Sequence, residues 1–488
     1  MAVLQFHINN NGSASYGANA FVESGPGTLL MDADAWLLSP GSTIVLDAGG
    51  KWTATINGKV TSSNFGGGGN AAIYLGPSGF HHAIAIGETA EISGYTWGIL
   101  AETGADIVNK GNIVGAGPSG YGIQHTVDGG DYKIINSGSI AGGAYAIDLT
   151  RAGSGTSGGI HTIVNSGLIQ GPIAIHSISN FAAEKVTNSG TIVGTIDLGG
   201  GADSFTNTGN VVGDFYFGDG NDSFTNIGTV TGVVNLGSGF GIVDFGDGND
   251  KFTNGGVVSD FVNLGNGNDV FTNFAKVKIK GKLVQKDGFV TKSIQLGSGD
   301  DKFIGGNKAE FVFDSFGADS YKLGGGNDTY VSMFYSPGIS EPDTGQDFVD
   351  GGAGRDTYHG DDGSAGIMVI NLDSKAYDGF AANRASEVTD HSLDEKIFNF
   401  EDATGSDGGD RIYGTAGANS LSGEGSADDL YGLAGNDTLD GGEGDDHLYG
   451  GAGRDIMTGQ DSGGPAADTF HFLALSDSGT TRATRDVI

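Results

Sequence analysis

Between Gly405 and Thr458 an apolar residue returns every nine positions, at Ile412, Leu421, Leu430, Leu439, Leu448 and Met457. Each sits in a polar setting behind a glycine-rich run, as in GLAGNDTLD (432–440), GGEGDDHLY (441–449) and GGAGRDIMT (450–458). Successive strand residues face opposite ways, so one apolar residue between polar neighbours predicts a very short strand with a single inward side chain. The glycines supply the positive φ of a tight turn and leave carbonyl oxygens uncovered. One unit is therefore a turn plus a short strand, and two units make one coil of a roll. A flexible Gly/Asp-rich linker has no cause to hold an apolar residue in phase six times.

Upstream the same pattern is looser. LGGGADSFTN, FGDGNDSFTN, FGDGNDKFTN and LGNGNDVFTN begin at Leu198, Phe217, Phe245 and Leu264, with Phe205, Phe224, Phe252 and Phe271 as the phased inward residues and a coil of 19 residues. From about residue 101 an Asn-x-Gly step recurs at Asn109, Asn136, Asn165, Asn188, Asn207, Asn226 and Asn254, usually before an apolar pair. Asparagine tolerates the left-handed conformation, and stacked asparagines can hydrogen-bond along a solenoid turn. Residues 1–100 hold short apolar runs broken by glycine (STIVLDAG, WTATING, AAIYLG, AIAIG), which read as strands. They are expected to form the N-terminal cap and first β coils, since solenoid ends must be covered. Trp36, Trp52 and Trp97 are read as buried capping residues, with contact to a sugar or a surface as the alternative.

Composition narrows the class. With 92 glycines, 59 acidic residues against 24 basic ones and a net charge of −35, this is not an ordinary globular chain. Nucleic acid is not an expected partner, because a phosphate-binding surface needs clustered Lys and Arg. The absence of cysteine rules out disulfides and thiolate metal sites. The opening MAVLQFHINNNGSASYGANAF has neither a basic segment nor a continuous apolar one, so no cleavable secretory signal is read there. No run approaches 18 uninterrupted apolar residues, so no membrane span is expected.

The chemistry lies in the turns. The sixth position of the nonapeptide is Asp410, Asn419, Asp428, Asp437, Asp446 and Asp455, and Asp468 follows the last unit. Calcium takes six to eight hard oxygens, which turn carbonyls and carboxylates provide. If alternate units stack, Asp410, Asp428 and Asp446 line one side and Asn419, Asp437 and Asp455 the other, with room for one ion in each gap. Asn419 in place of an aspartate and Ser426 in place of a turn glycine predict weaker sites. The same turn recurs upstream at Asp203, Asp222, Asp250, Asp269, Asp301, Asp328 and Asp356. These read as calcium turns grafted on the coil; the alternative is that they only satisfy turn amides.

The nonapeptide resembles GGxGxDxUx, the calcium-binding repeat of the RTX (repeats-in-toxin) family. The C-terminal half resembles the serralysin-type β-roll domain, and the middle resembles right-handed parallel β-helices of bacterial surface proteins. The resemblance implies several bound Ca2+ ions, an extracellular or cell-surface location, and export by a type I machinery that reads an uncleaved C-terminal signal. The final ADTFHFLALSDSGTTRATRDVI is similar to the start of the segment that caps serralysin-type repeats. The expected fold is all-β, a right-handed parallel β-helix solenoid continuing into a calcium-binding β-roll. Its expected segments are the cap and first coils (1–100), the β-helix (101–335), an insert or extension (336–404), the roll (405–470) and a C-terminal cap or start of a secretion segment (471–488).

A β-helix can also carry a polysaccharide lyase or epimerase, and RTX-bearing uronate epimerases make such an enzyme the alternative reading. That chemistry needs a general base and a carboxylate neutraliser side by side. His125, His161 and His176 are separated by 36 and 15 residues, which fits no common coil period, and Arg151 is the only arginine before Arg355. There is no HExxH and no phosphate-binding loop. Lys276, Lys278 and Lys280 alternate with Val277 and Ile279, which reads as protection of a strand edge or as a contact for an anionic polysaccharide or acidic neighbour. The expectation is a non-enzymatic, secreted, calcium-binding surface protein (extracellular matrix, surface layer or adhesin) that folds, and can self-assemble, on binding calcium.

Overall fold

A computed structural model of the chain describes residues 4–8, 21–24, 26–39, 41–47, 50–63, 70–77, 80–102, 104–126, 131–149, 159–178, 182–231, 243–259, 261–314, 316–332, 345–360, 368–376, 381, 384–387, 395–459, 466–472 and 486–488. Among them every regular element is a strand. The chain divides into two compact units, 1–261 and 262–488.

In the first unit a coil carries three strands, for example Trp52–Ile56, Lys59–Ser62 and Ala71–Leu75. Equivalent strands of successive coils pair in parallel. One row runs through Trp52–Ile56, His82–Ile86, Ala105–Asn109, Tyr132–Asn136, Ile160–Asn165 and Ala183–Asn188. Pairing is continuous across residues 100 and 101, where Trp97–Ala101 is in register with Ala71–Leu75 before it and Tyr121–His125 after it. Register is fixed by an inward apolar column, Ile107, Ile134, Ile163, Val186, Phe205, Phe224 and Phe252, every member of it buried. A slip by one residue would turn the whole column to solvent. From Phe205 on the column is phenylalanine, and the Phe224 and Phe252 rings stack at 4.9 Å and 5°.

Two positions beyond that column stand the asparagines. Each of Asn109, Asn136, Asn165, Asn188, Asn207 and Asn226 donates from Nδ2 to Oδ1 of the next, the last to Asn254, over 2.7 to 3.0 Å. An amide both donates and accepts, so a stack of them satisfies itself. The spacing along this ladder is 27, 29, 23, 19, 19 and 28 residues, so a 19-residue coil is the shortest form and not the rule. The columns set the register, and extra residues leave between strands, where loop length costs little. Two further expectations change. Trp52 is fully buried, but Trp36 is 43% exposed on its strand and caps no core. Phe274–Ile279 and Lys282–Asp287, in the second unit, form an antiparallel hairpin separate from the parallel rows, turning at Lys280 and Gly281 with φ of 49° and 79°. Both of its strands are edges, so Lys276 and Lys278 stand on an edge strand, while Lys280 belongs to the turn and not to the strand face.

The second unit is a roll with two rows of short strands. Arg411–Tyr413, Asp429–Tyr431, His447–Tyr449 and Thr469–His471 form one row. Ser420–Ser422, Thr438–Asp440 and Ile456–Thr458 form the other. Their central residues Ile412, Leu430 and Leu448, and Leu421, Leu439 and Met457, are buried. The rows continue upstream through Ser320–Lys322, Phe348–Asp350 and Glu395–Phe398, and through Phe311–Phe313, Thr329–Val331, Thr357–His359 and Asp402–Thr404. The described residues between 345 and 404 thus continue the rows of the roll, with a local antiparallel detour of Met368–Asn371 and Arg384–Glu387.

Candidate metal centres

The nonapeptide turn is built around its aspartate. A Cβ on the unit's first glycine would lie 2.1 Å from Asp428 Oδ2 at Gly423, 2.5 Å from Asp437 Oδ2 at Gly432 and 2.1 Å from Asp446 Oδ2 at Gly441. Only glycine leaves the carboxylate its place. Gly435, Gly444 and Gly453, at the fourth position, have φ of 139°, 142° and 153°, in the region that favours glycine. Ser426 takes the same position with φ of 68°, a conformation that costs a side-chain-bearing residue about 1–2 kcal/mol.

Alternate units do stack. The backbone N–H of Asp410 donates to Asp428 Oδ1 at 2.6 Å, that of Asp428 to Asp446 Oδ1 at 2.9 Å, and that of Asp446 to Asp468 Oδ1 at 3.2 Å. On the other side the N–H of Asn419 donates to Asp437 Oδ1 and that of Asp437 to Asp455 Oδ1, both at 2.9 Å. One oxygen of each carboxylate is thus used to hold the coil above. The second oxygen, Oδ2, of Asp428 and Asp437 is buried and accepts no hydrogen bond. Burial pushes the Asp428 carboxyl up to about 8, helped by Asp410 and Asp446, and the Asp437 carboxyl up to about 7, helped by Asp455. A hard cation is the partner such an oxygen lacks, because it removes the desolvation penalty of the charged form. The aspartates and the turn carbonyls would hold it, and it would supply a charge that ties adjacent coils together.

Two turns differ in a way the sequence pattern hides. Asp410 Oδ2 accepts from the Ser406 N–H, and the Ser406 hydroxyl lies 3.1 Å from both of its carboxylate oxygens. Asn419 Oδ1 likewise accepts from the Thr415 N–H at 2.8 Å, and its Nδ2 donates to the Glu401 carbonyl. A hydroxyl residue at the second position therefore caps these two turns with protein donors. Their neighbours carry Glu424, Leu433, Gly442 and Gly451 there and have no such cap.

The upstream aspartates form the same ladder. Asp203 donates to Asp222 Oδ1, Asp222 to Asp250 Oδ1, Asp269 to Asp301 Oδ1 (each 2.7 Å) and Asp328 to Asp356 Oδ1 (2.8 Å) through their backbone N–H groups. Buried Oδ2 atoms without a hydrogen bond recur at Asp222, Asp301 and Asp356. Burial raises Asp222 to about 7, Asp301 to about 8 and Asp356 to about 6. Four further rungs escape the glycine pattern: Glu184, Glu310, Asp319 and Asp347, joined to Asp203, Asp328, Asp301 and Asp319 by the same backbone-to-carboxylate bond. The signal for them was an acid two residues before an inward residue (Val186, Val312, Tyr321, Val349), irrespective of the turn before it.

The histidines are closer than a fixed period allows. Tyr132 stacks on His125 at 3.7 Å and on His161 at 3.9 Å, and His161 Nδ1 lies 2.9 Å from Glu184 Oε1. Variable coil length brings them together, and all three rings are buried. His176 is apart from them, paired with Asp148 at 2.8 Å, and this hydrogen bond raises its pKa. Arg151 lies outside the described residues.

Comparison with known proteins agrees with this geometry. The family model of the RTX calcium-binding nonapeptide repeat matches four times, at residues 295–330, 343–365, 404–439 and 431–461. No curated protein matches the chain. The turns at Asp203, Asp222, Asp250 and Asp269 precede the matched residues. Residues 295–461 therefore carry four copies of the RTX calcium-binding nonapeptide repeat, whose turns bind calcium ions at multiple sites.

Proposed function

We propose that this chain is a secreted surface or extracellular-matrix protein whose C-terminal unit folds when calcium occupies its turns outside the cell. The observation that carries the reading is the row of buried carboxylates, each with one oxygen committed to the next coil and, at Asp428 and Asp437, the other without a hydrogen bond. Extracellular calcium modules have dissociation constants of about 0.1–1 mM. At ~1 mM calcium and ~0.1 mM affinity each occupied site adds roughly 1.4 kcal/mol. Several sites together decide whether the roll folds. Inside a low-calcium cytosol the net charge of −35 keeps the chain extended, a state suited to type I export. Calcium titration followed by far-UV circular dichroism, light scattering and electron microscopy tests this. Gain of β signal with ordered sheets or filaments supports a matrix or surface-layer role; gain of β signal in a monomer supports an adhesin. The same β content with and without calcium refutes the switch.

A second reading, an enzyme acting on polyuronate, draws on one surface groove of about 360 Å3 in the first unit. It is lined by His81, Asp106, Asp131 and Lys133 among others, with His81 Nε2 3.0 Å from Asp106 Oδ1. A base beside a lysine is the pairing that uronate chemistry uses. Loss of polyuronate turnover in His81→Ala supports this reading, and no turnover by the native protein removes it.

A further inference from the structure

The second unit contains a group of acids that does not fit the nonapeptide scheme. Oxygens of Asp314, Asp347 and Glu395 lie within 4.8 Å of one another. The three residues are only 3%, 1% and 2% exposed. Asp314 is out of place by the logic of the repeat. It stands five residues before the ladder rung Asp319, as Gly423 stands five before Asp428, and so holds the position where the roll otherwise has its first glycine. That glycine makes room for a carboxylate elsewhere; here the position itself carries a carboxylate.

A distinct observation points to a missing ligand. Tyr330 is fully buried, its ring 5.8 Å from that of Tyr358, and its hydroxyl makes no hydrogen bond. Asp314 follows the strand paired with that of Tyr330, the neighbouring Tyr358 donates to Glu395, and Asp314, Glu395 and Asp347 are the acids that act on the Tyr330 hydroxyl. Glu395 is already oriented by the Ser332 hydroxyl at 2.7 Å and the Tyr358 hydroxyl at 2.6 Å. Three ionised carboxylates this close in a dry interior repel one another, and a cation bound among them removes that repulsion. Oxygens bound to one calcium at about 2.3–2.6 Å stand no more than about 5.2 Å apart, a limit that the 4.8 Å spread respects.

We propose that Asp314, Asp347 and Glu395, with the Tyr330 hydroxyl, form an interior site for one hard divalent cation, calcium being the fit by size, separate from the sites in the turns. The site locks the roll where its coils are lengthened by the 336–404 extension, which supplies Asp347 and Glu395. Asp314 takes the repeat's glycine position and Glu395 lies outside the matched residues, so neither is a ligand that the nonapeptide provides.

The test uses the full chain, equilibrated with calcium alone and assayed for bound metal by elemental analysis. Asp314→Asn and Glu395→Gln should each bind one calcium fewer per chain than the native protein, with β content at saturating calcium unchanged. Equal counts in native and variant chains overturn the site, and show that the three acids share protons instead. Should the acid variants fail to fold, Tyr330→Phe decides, because the ring stays packed. It should weaken one calcium of the set by tenfold or more in a binding isotherm, and an unchanged isotherm overturns the proposal. Loss of the turn sites alone, as in Asp437→Asn, should leave this ion in place, which separates failure here from failure of the calcium-switch reading.

Discussion

The raised acids of the metal-free roll make its stability fall as pH rises. Asp428 and Asp437 titrate at about 8 and about 7 in the fold, because burial disfavours their charged forms, against about 3.9 in an unfolded chain. Between those values the folded state holds a proton that the unfolded state has released. Stability from each group is therefore complete below about pH 4 and drains away up to its folded pKa, at up to about 1.4 kcal/mol per pH unit. Calcium inverts the sign, since it binds the ionised carboxylates and competes with the protons. The assay is thermal unfolding by far-UV circular dichroism, from pH 5 to 7.5, on protein stripped of metal and on protein in millimolar calcium. The stripped protein should melt at lower temperature as pH rises, and the loaded protein at the same or higher temperature. Loss of general repulsion at low pH acts in the same direction on a chain of net charge −35. Asp437→Asn separates the two, because it should flatten the stripped-protein slope by up to about 1.4 kcal/mol per pH unit between pH 4 and 7 while changing net charge by only one. A stripped-protein midpoint that is flat or rises with pH, or an Asp437→Asn slope equal to the native one, refutes the reasoning.

Three other outcomes follow from the same geometry. Gly423→Ala puts a methyl 2.1 Å from Asp428 Oδ2 and 2.5 Å from the Gly441 carbonyl, so it should cost about 1–3 kcal/mol and weaken calcium at that turn, as read by calorimetry. Asn188→Ala removes the acceptor of Asn165 Nδ2 (2.8 Å) and the donor to Asn207 Oδ1 (2.9 Å); the denaturant midpoint should fall by an equivalent of about 1–3 kcal/mol for each group left without that partner, with the slope unchanged. Hydrogen exchange in metal-free buffer should find amides of 105–190 protected and those of 405–459 exchanging fast, with calcium restoring protection to the second set.

Much of this was legible because the inward residues keep phase. The nine-residue return of Leu430, Leu439, Leu448 and Met457 gave the two-row roll and the alternate stacking of Asp428 with Asp446 and of Asp437 with Asp455. The asparagine ladder was legible for a similar reason, since Asn-x-Gly marks a turn position that repeats whatever the length between turns. What spacing could not show was anything that depends on coil length. His125 and His161 looked unrelated, yet coils of unequal length place both on Tyr132. Glu184, Glu310, Asp319 and Asp347 escaped because their turns lack the repeated glycines. The hairpin pairing at 274–287 was hidden because an alternating Lys/Val pattern describes a strand face without saying what pairs with it.

One column of the first unit shows how the chain passes from self-sufficient to cation-dependent coils. Two residues before the inward apolar position stand, in order, Ala105, Tyr132, His161, Glu184, Asp203, Asp222 and Asp250, brought into line by strand pairing and by the backbone-to-carboxylate bonds. The early members satisfy themselves by stacking, Tyr132 on His161, and by the His161–Glu184 pair. From Asp203 on, every member is an acid with like neighbours above and below it, and burial together with Glu184 raises the Asp203 pKa. Through the same coils the asparagine ladder continues, so the amide stack still holds the strands where the acids alone would repel. In the 405–459 roll the strands are three residues long, no asparagine ladder remains, and the acids stand on both sides. There a bound proton or, in exchange for it, a calcium ion offsets the cost of burying them. Calcium dependence is therefore expected to rise along the chain with which side chain fills two columns, as amides and aromatic rings give way to carboxylates from one coil to the next.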